Sequence, residues 1–206
     1  MRSLTCLLIG YILGSVSPAA VLGWFKKTDL RHSGTGNLGA TNTILVMGKK
    51  LGMLVMLLDI LKSFLAAKLA AWIFDGYSLA GLLAALGAVI GHIYSVFLHF
   101  HGGKGVAAFV GMIIFYRPVF FPILAGFAIF LMLVTNLGVV GPTSAALLFP
   151  VMVYWDSRNL SMALICAAAG VLILLSHRNN IRKLRSGDEI LVRTFLQKVF
   201  HGRSHS

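Results

Sequence analysis

Residues 78–100 read SLAGLLAALGAVIGHIYSVFLHF, a run without Asp, Glu, Lys or Arg. About 20 apolar residues cross the hydrocarbon core of a bilayer as a helix. The stretch therefore reads as a membrane span. Working outward from it, further apolar runs lie at about 3–24, 51–74, 119–136, 139–155 and 159–176. A shorter run, 106–116, sits between Gly105 and Arg117-Pro118. It is either a re-entrant half-helix or a span that continues through the glycines before it; counting it makes seven. The whole chain is 58% hydrophobic and 12% charged, with mean hydropathy +0.87. A soluble domain carries about 25% charged residues. The expectation is a single all-α polytopic membrane domain over residues 1–206.

Charge sets the expected orientation. Lys and Arg concentrate in cytoplasmic segments of membrane proteins. With the N-terminus outside, the inner segments are 25–50, 99–105, 137–138 and 177–206. Thirteen of the eighteen Lys and Arg fall there, against Arg2, Arg117 and Arg158 outside. Lys62 and Lys68 lie inside a helix, where Lys68 is placed to snorkel towards the outer surface. Seven spans thus put the C-terminus and two glycine-rich loops in the cytoplasm. A formal charge of +12 often signals nucleic acid. On a membrane chain it reads instead as basic loops facing anionic headgroups or substrates, with no nucleic-acid partner. Arg2 and the small residues of Gly14–Ala20 resemble a secretion signal. The apolar pattern resumes through Trp24, so the segment reads as a span. Cys6 and Cys166 lie in apolar runs and read as packing residues.

The first loop runs His32-Ser33-Gly34-Thr35-Gly36-Asn37-Leu38-Gly39-Ala40-Thr41-Asn42, and the second His101-Gly102-Gly103-Lys104-Gly105. Glycines allow tight turns whose N–H groups cradle anions, and a helix N-terminus or a lysine completes such a site. Both loops therefore read as phosphate sites at a membrane surface. Gly34-x-Gly36-x-x-Gly39 lacks the strand and βαβ context of a dinucleotide site. Gly102–Gly105 lacks the second half of a P-loop. The tail from His177 is basic, and Phe195–Phe200 reads as an amphipathic surface helix.

Few residues offer covalent chemistry. There is no Gly-x-Ser-x-Gly elbow and no Ser–His–Asp set. The His-x4-Asp pair of CoA-dependent acyltransferases is absent too. His92, His99, His101 and His177 gather near the inner boundary without metal-ligand spacing; no metal or cofactor is expected. Asp59 and Lys62 share one face of the second run, as an ion pair inside the membrane. An enzyme with this inventory needs a substrate that carries its own activation. Acyl phosphate does, since phosphate is a good leaving group.

Several ordered motifs together resemble the bacterial membrane glycerol-3-phosphate acyltransferases that use acyl phosphate, the PlsY type. They are Asp29-Leu30-Arg31, Gly34-x-Gly36-Asn37-x-Gly39-Ala40-Thr41-Asn42, Gly48-Lys49-Lys50-x-Gly52 and Leu58-Asp59-x-x-Lys62. Further on come Gly91-His92-x-x-x-Val96-Phe97, Gly102-Gly103-Lys104-Gly105-Val106-Ala107 and His177-Arg178-x-Asn180-Ile181-x-x-Leu184-x-x-Gly187-x-Glu189. The resemblance implies seven spans in the bacterial inner membrane. It also implies acyl transfer to the 1-hydroxyl of glycerol 3-phosphate, giving lysophosphatidate, without CoA or carrier protein. On that basis Thr35, Gly36, Asn37, Gly39 and Asn42 are expected in one phosphate subsite. Gly102, Gly103 and Lys104 are expected near the leaving phosphate. His177 and Asn180 are expected to orient the acceptor, with Asp59, Lys62 and Glu189 in support. Partners are then the two substrates, membrane lipids and, on the tail, other lipid-synthesis enzymes.

The chain departs from the family pattern at Thr35, Leu45, Ser63, His101, Ala108 and Val139–Ser144. The family usually has Arg where Leu45 stands. Losing a guanidinium removes a bidentate phosphate contact. Two other readings follow: a transporter of a phosphorylated metabolite, with short glycine-interrupted helices around Asp59 and Lys62, or a low-activity lipid-binding paralogue.

Overall fold

The computed structural model describes residues 1–186 and 191–201. Among them the helices are α1 (Arg2–Ser15), α2 (Pro18–Phe25), α3 (Ala40–Met47), α4 (Lys49–Ile73) and α5 (Ala80–Ile93). A 3-10 turn, Val96–Leu98, follows. Then come α6 (Val106–Tyr116), α7 (Phe120–Thr135), α8 (Val140–Ser157), α9 (Leu160–Ser176), α10 (Arg178–Ser186) and α11 (Val192–His201). One antiparallel bridge joins Leu137 to Leu191. Arg2–Phe25 and Ala80–Leu98 are long and apolar enough to cross a membrane by length and composition.

The exterior is greasy and the interior holds charge. Leu57, Leu61, Leu65 and Trp72 of α4 are exposed, as are Leu133 and Val134 of α7, while Asp59, Ser63 and His92 are buried. Water would drive the opposite arrangement; lipid permits it. Phe109 of α6 meets Phe149 of α8 edge-on, ring centroids 5.5 Å apart. These rings anchor a core that also takes in Val89, Met112 and Ile173.

The apolar run 3–24 does not form one helix. Pro18 has no N–H, and its ring cannot follow an uninterrupted turn. Ser17 is therefore extended, φ −105° and ψ 106°, and its side chain caps α2 by accepting from Ala20 N at 3.2 Å. Pro18 occupies the first turn, where a missing N–H costs nothing. The break leaves main-chain oxygens without helical partners, and a buried carbonyl needs one. Ser95 Oγ donates to Ser15 O at 2.6 Å, and Lys62 Nζ donates to Val16 O at 2.7 Å. Lys62 Nζ also lies 2.7 Å from Asp59 Oδ1, and His92 Nδ1 lies 3.2 Å from that same oxygen.

Small residues let α1 and α5 cross in backbone contact. A Cβ on Gly10 or Gly14 would overlap the main chain of Ala84 or Ala88, and one on Gly87 or Gly91 would overlap that of Leu7 or Tyr11. This is how membrane helices associate where no hydrophobic force drives them together.

Three further differences from the sequence expectation matter for the site. The segment 25–50 is not loop throughout, since Gly39 starts α3 within it. The run 78–100 stops being α-helix at Ile93 and turns back through left-handed residues His99 (φ 53°) and Phe100 (φ 62°). Helix α6 does not continue through the glycines: Gly105, at φ 83°, begins it. Its 11 residues reach only about 16 Å. Lys68 lies 5.8 Å from the Phe64 ring centre and 6.0 Å from that of Phe115.

Three outcomes test these contacts by thermal unfolding in detergent micelles. Gly87→Ala drives a methyl into the main chain of α1 and lowers stability by about 1–3 kcal/mol. Gly126→Ala, where nothing lies within 4 Å, leaves the transition within about 1 kcal/mol of the parent. Lys62→Met strands the Asp59 carboxylate and orphans Val16 O, costing about 3–5 kcal/mol.

Candidate active site

Both glycine-rich loops and the C-terminal end of α9 meet at one end of the bundle. The first loop is held from beneath by apolar anchors: Leu30 and Leu38 are buried with Ala19 and Val55. Arg31 Nη2 donates to Leu98 O at 3.1 Å, tying the loop to the 3-10 turn. Asp29 accepts from His32 Nδ1 at 2.7 Å and from Arg31 N at 2.9 Å. The His32 bond first, then the Arg31 N–H, holds the Asp29 carboxyl below the usual carboxylate range.

Asn42 organises this loop from inside. Fully buried on α3, it donates to Leu30 O at 2.8 Å and Ser33 O at 3.1 Å. It accepts from Thr35 N at 2.6 Å. Both amide hydrogens and the carbonyl are thus engaged with the loop backbone. Asn42, expected to line the phosphate subsite, spends its amide on shaping the loop. Gly34, at φ 62°, has no room for a Cβ because Asn42 Oδ1 occupies that space. Thr35 and Gly36 stay exposed, and Asn37 is half-buried with Nδ2 beside Gly39. Gly39 precedes α3 and has no side chain to accept the helix's first N–H groups. Uncapped donors of this kind suit an anion.

Gly102 and Gly103, expected near the leaving phosphate, are likewise engaged by neighbouring backbone. Gly102 N donates to Ile93 O at 2.9 Å, and Gly103 N to His92 O at 3.0 Å. These amides finish the end of α5. Glycine is required there for space. A Cβ on Gly102 would overlap His92 O; one on Gly103 would overlap His92 Nε2 and lie 2.9 Å from Leu38 O. The two loops therefore touch at Leu38 and Gly103, and no side chain fits between them.

Lys104 follows directly and is half-buried. Its Nζ donates to Asn180 Oδ1 at 2.5 Å, and its carbonyl accepts from Ser176 Oγ at 2.9 Å. Ser176 also donates to Ile173 O at 2.8 Å. Next along, His177 is 4% exposed, with Nδ1 2.8 Å from Ile173 O. That carbonyl can only accept, so Nδ1 carries a proton. Gly105 opens α6 beside Lys104 and likewise offers uncapped helix N–H groups.

Lys104, His177 and Asn180 are thus brought together with two glycine-capped helix starts. Among the described residues, Asp59 and Lys62 lie beneath, linked through His92. Glu189 lies outside the described residues. Ser176 carries no sequence signal for its role, because a serine bonded to a backbone carbonyl looks like any other. The set has donors and a cation in plenty. It suits holding phosphate groups and aligning two substrates more than covalent catalysis by the protein.

Comparison with known proteins agrees with this geometry. Residues 4–187 match the family described as glycerol-3-phosphate acyltransferase. The glycerol-3-phosphate acyltransferase of Aquifex aeolicus is 38% identical over 192 residues, covering 92% of this chain and 98% of the relative. That of Lactiplantibacillus plantarum is 32% identical over 193 residues, 93% of each chain. The fold is similar to the crystal structure of PlsY, an integral membrane glycerol 3-phosphate acyltransferase, in its glycerol 3-phosphate form. The TM-score is 0.83 at 32% identity, over 97% of this chain and 100% of that one. The lysophosphatidic acid form gives 0.80 at 30%, over 95% and 99%. An all-helical, charge-burying bundle with three motifs at one end is thus an integral membrane protein, and the chain belongs to the glycerol-3-phosphate acyltransferase family.

Proposed function

We propose that this enzyme transfers an acyl chain from acyl phosphate to the 1-hydroxyl of glycerol 3-phosphate, making lysophosphatidate for phospholipid synthesis. The observation that carries it is the Lys104–Asn180 pair, placed where both glycine loops and α9 converge. The N-terminal ends of α3 and α6 hold one phosphate group each, with Thr35, Gly36, Asn37 and Gly39 around the first and Lys104 at the second. Asn180 and the Nε2 side of His177 orient the acceptor hydroxyl. The hydroxyl oxygen attacks the acyl carbon, and the C–O bond to phosphate breaks. Inorganic phosphate leaves, and the hydroxyl proton passes to a substrate phosphate oxygen. Alignment and charge stabilisation supply the rate, with no cofactor.

Orientation follows from the loops. The basic segments 25–50, 99–105 and 177–206 face the cytoplasm, seven spans cross the bacterial inner membrane, and the N-terminus is outside. The positive-inside asymmetry supports this. Lipid-synthesis enzymes that consume the product are partners for the basic tail.

A second reading, a low-activity paralogue, is favoured by one residue. Leu45 lies half-buried on α3, one turn beyond Thr41, where relatives of this pattern carry a guanidinium.

Purified protein given labelled glycerol 3-phosphate makes lysophosphatidate from acyl phosphate and not from acyl-CoA or acyl carrier protein. No product above a Lys104→Ala control overturns the reading. Leu45→Arg lowers KM for glycerol 3-phosphate roughly tenfold, the size of one charged hydrogen bond; an unchanged KM places the acceptor phosphate elsewhere.

A further inference from the structure

We infer that His92 is a positioning residue for Lys104, locked in place by the buried Asp59–Lys62 pair. The inference rests on the reading of Lys104 as a substrate-binding cation. His92 sits at the last turn of α5, 7% exposed, and Asp59 is 1% exposed. The ring's Nδ1 side lies 3.2 Å from Asp59 Oδ1. Its Nε2 side faces Gly103 so closely that no side chain fits there. The main-chain oxygen of His92 accepts from Gly103 N at 3.0 Å. His92 therefore grips the residue before Lys104 twice, by ring packing and by a backbone bond. Ser176 grips Lys104 from the other side through its carbonyl.

The ring has a single resting place because Asp59 does. Lys62 Nζ forms an ion pair with Asp59 on one side and donates to Val16 O, in the α1–α2 break, on the other. Three ionisable groups inside a membrane bundle are costly, and apolar residues would hold the helices together as well. What an ionic cluster adds is one arrangement in place of several. Here that arrangement fixes where the second loop leaves α5, and so where the Lys104 ammonium stands. A misplacement of about 1 Å at a reacting centre lowers rates about a hundredfold.

A double-mutant cycle of His92→Leu and Lys104→Gln tests this, read as kcat/KM with acyl phosphate and glycerol 3-phosphate. Glycerol 3-phosphate affinity by titration calorimetry completes the cycle if turnover falls below detection. Thermal unfolding of each variant is measured alongside. His92→Leu alone is expected to lose about tenfold to a hundredfold, yet to lose almost nothing further once Lys104 is Gln. His92→Asn keeps a donor towards Asp59; it recovers part of the loss and serves as the folded variant if His92→Leu does not fold. Losses that multiply in the two backgrounds, or that follow the fall in stability, overturn the inference. So does a His92→Leu enzyme with parental kinetics. A Lys104→Gln enzyme as active and as tightly binding as the parent instead overturns the reading of Lys104 beneath it.

Discussion

One ammonium group, Lys62 Nζ, lies 2.7 Å from both a buried Asp59 oxygen and the main-chain oxygen of Val16, and the geometry of the site end follows from it. The first membrane segment must break because Pro18 cannot continue a helix. In lipid the freed carbonyl has no water to turn to, so it needs a donor from the bundle. A lysine brought there needs a carboxylate, and the carboxylate draws His92. His92 in turn borders the second glycine loop. A local fault in the first segment is thereby connected, atom by atom, to the lysine at the centre of the site.

The glycines divide into two kinds of work. In α1 and α5 they bring two helix backbones into contact, which lets the break in the first segment reach Lys62 and Ser95. In the second loop they bring His92 against Leu38, so that the two loops form one surface. Neither use requires a glycine to touch a ligand. In the proposed function the anion-binding capacity comes instead from the helix starts that Gly39 and Gly105 leave uncapped, beside a lysine held by Asn180 and Ser176.

Much of the architecture was legible in the chain because a bilayer imposes long apolar runs that hydropathy detects. The convergence of three basic, glycine-marked segments was legible as well. Hydropathy could not see the break at Pro18: the residues on both sides are equally apolar, and only the loss of one N–H distinguishes them. Helix α3 hid in a polar stretch, where Gly39 followed by Ala-Thr-Asn was the one available signal. The amides of Gly102 and Gly103 could not be assigned from spacing, since a glycine N–H looks the same whether it serves a phosphate or a carbonyl of the preceding helix. Asn42 belongs with the first loop, whose backbone engages its amide. A saturated amide and a ligand-binding amide differ only in three-dimensional surroundings. Ser176 Oγ reaches the main-chain oxygen of Lys104, and His92 sets both its ring and its carbonyl against Gly103; neither contact is encoded in residue spacing.

The shortness of α6 sets the depth at which this chemistry takes place. Helix α4, with 25 residues, reaches about 37 Å, and the 11 residues of α6 cover less than half of that. The bilayer's hydrocarbon core is about 30 Å thick. A helix so short cannot cross that core by itself, and Lys104 stands directly before its first turn. Under the proposed function, a donor with an acyl chain would meet the site by moving sideways within its own leaflet, without being lifted into water. The concentration the enzyme senses is then the donor's mole fraction among lipids, a two-dimensional quantity, while the water-soluble acceptor arrives from a three-dimensional solution. The rate law mixes the two, so diluting the donor with inert lipid slows the enzyme even when the amount of donor per volume is unchanged.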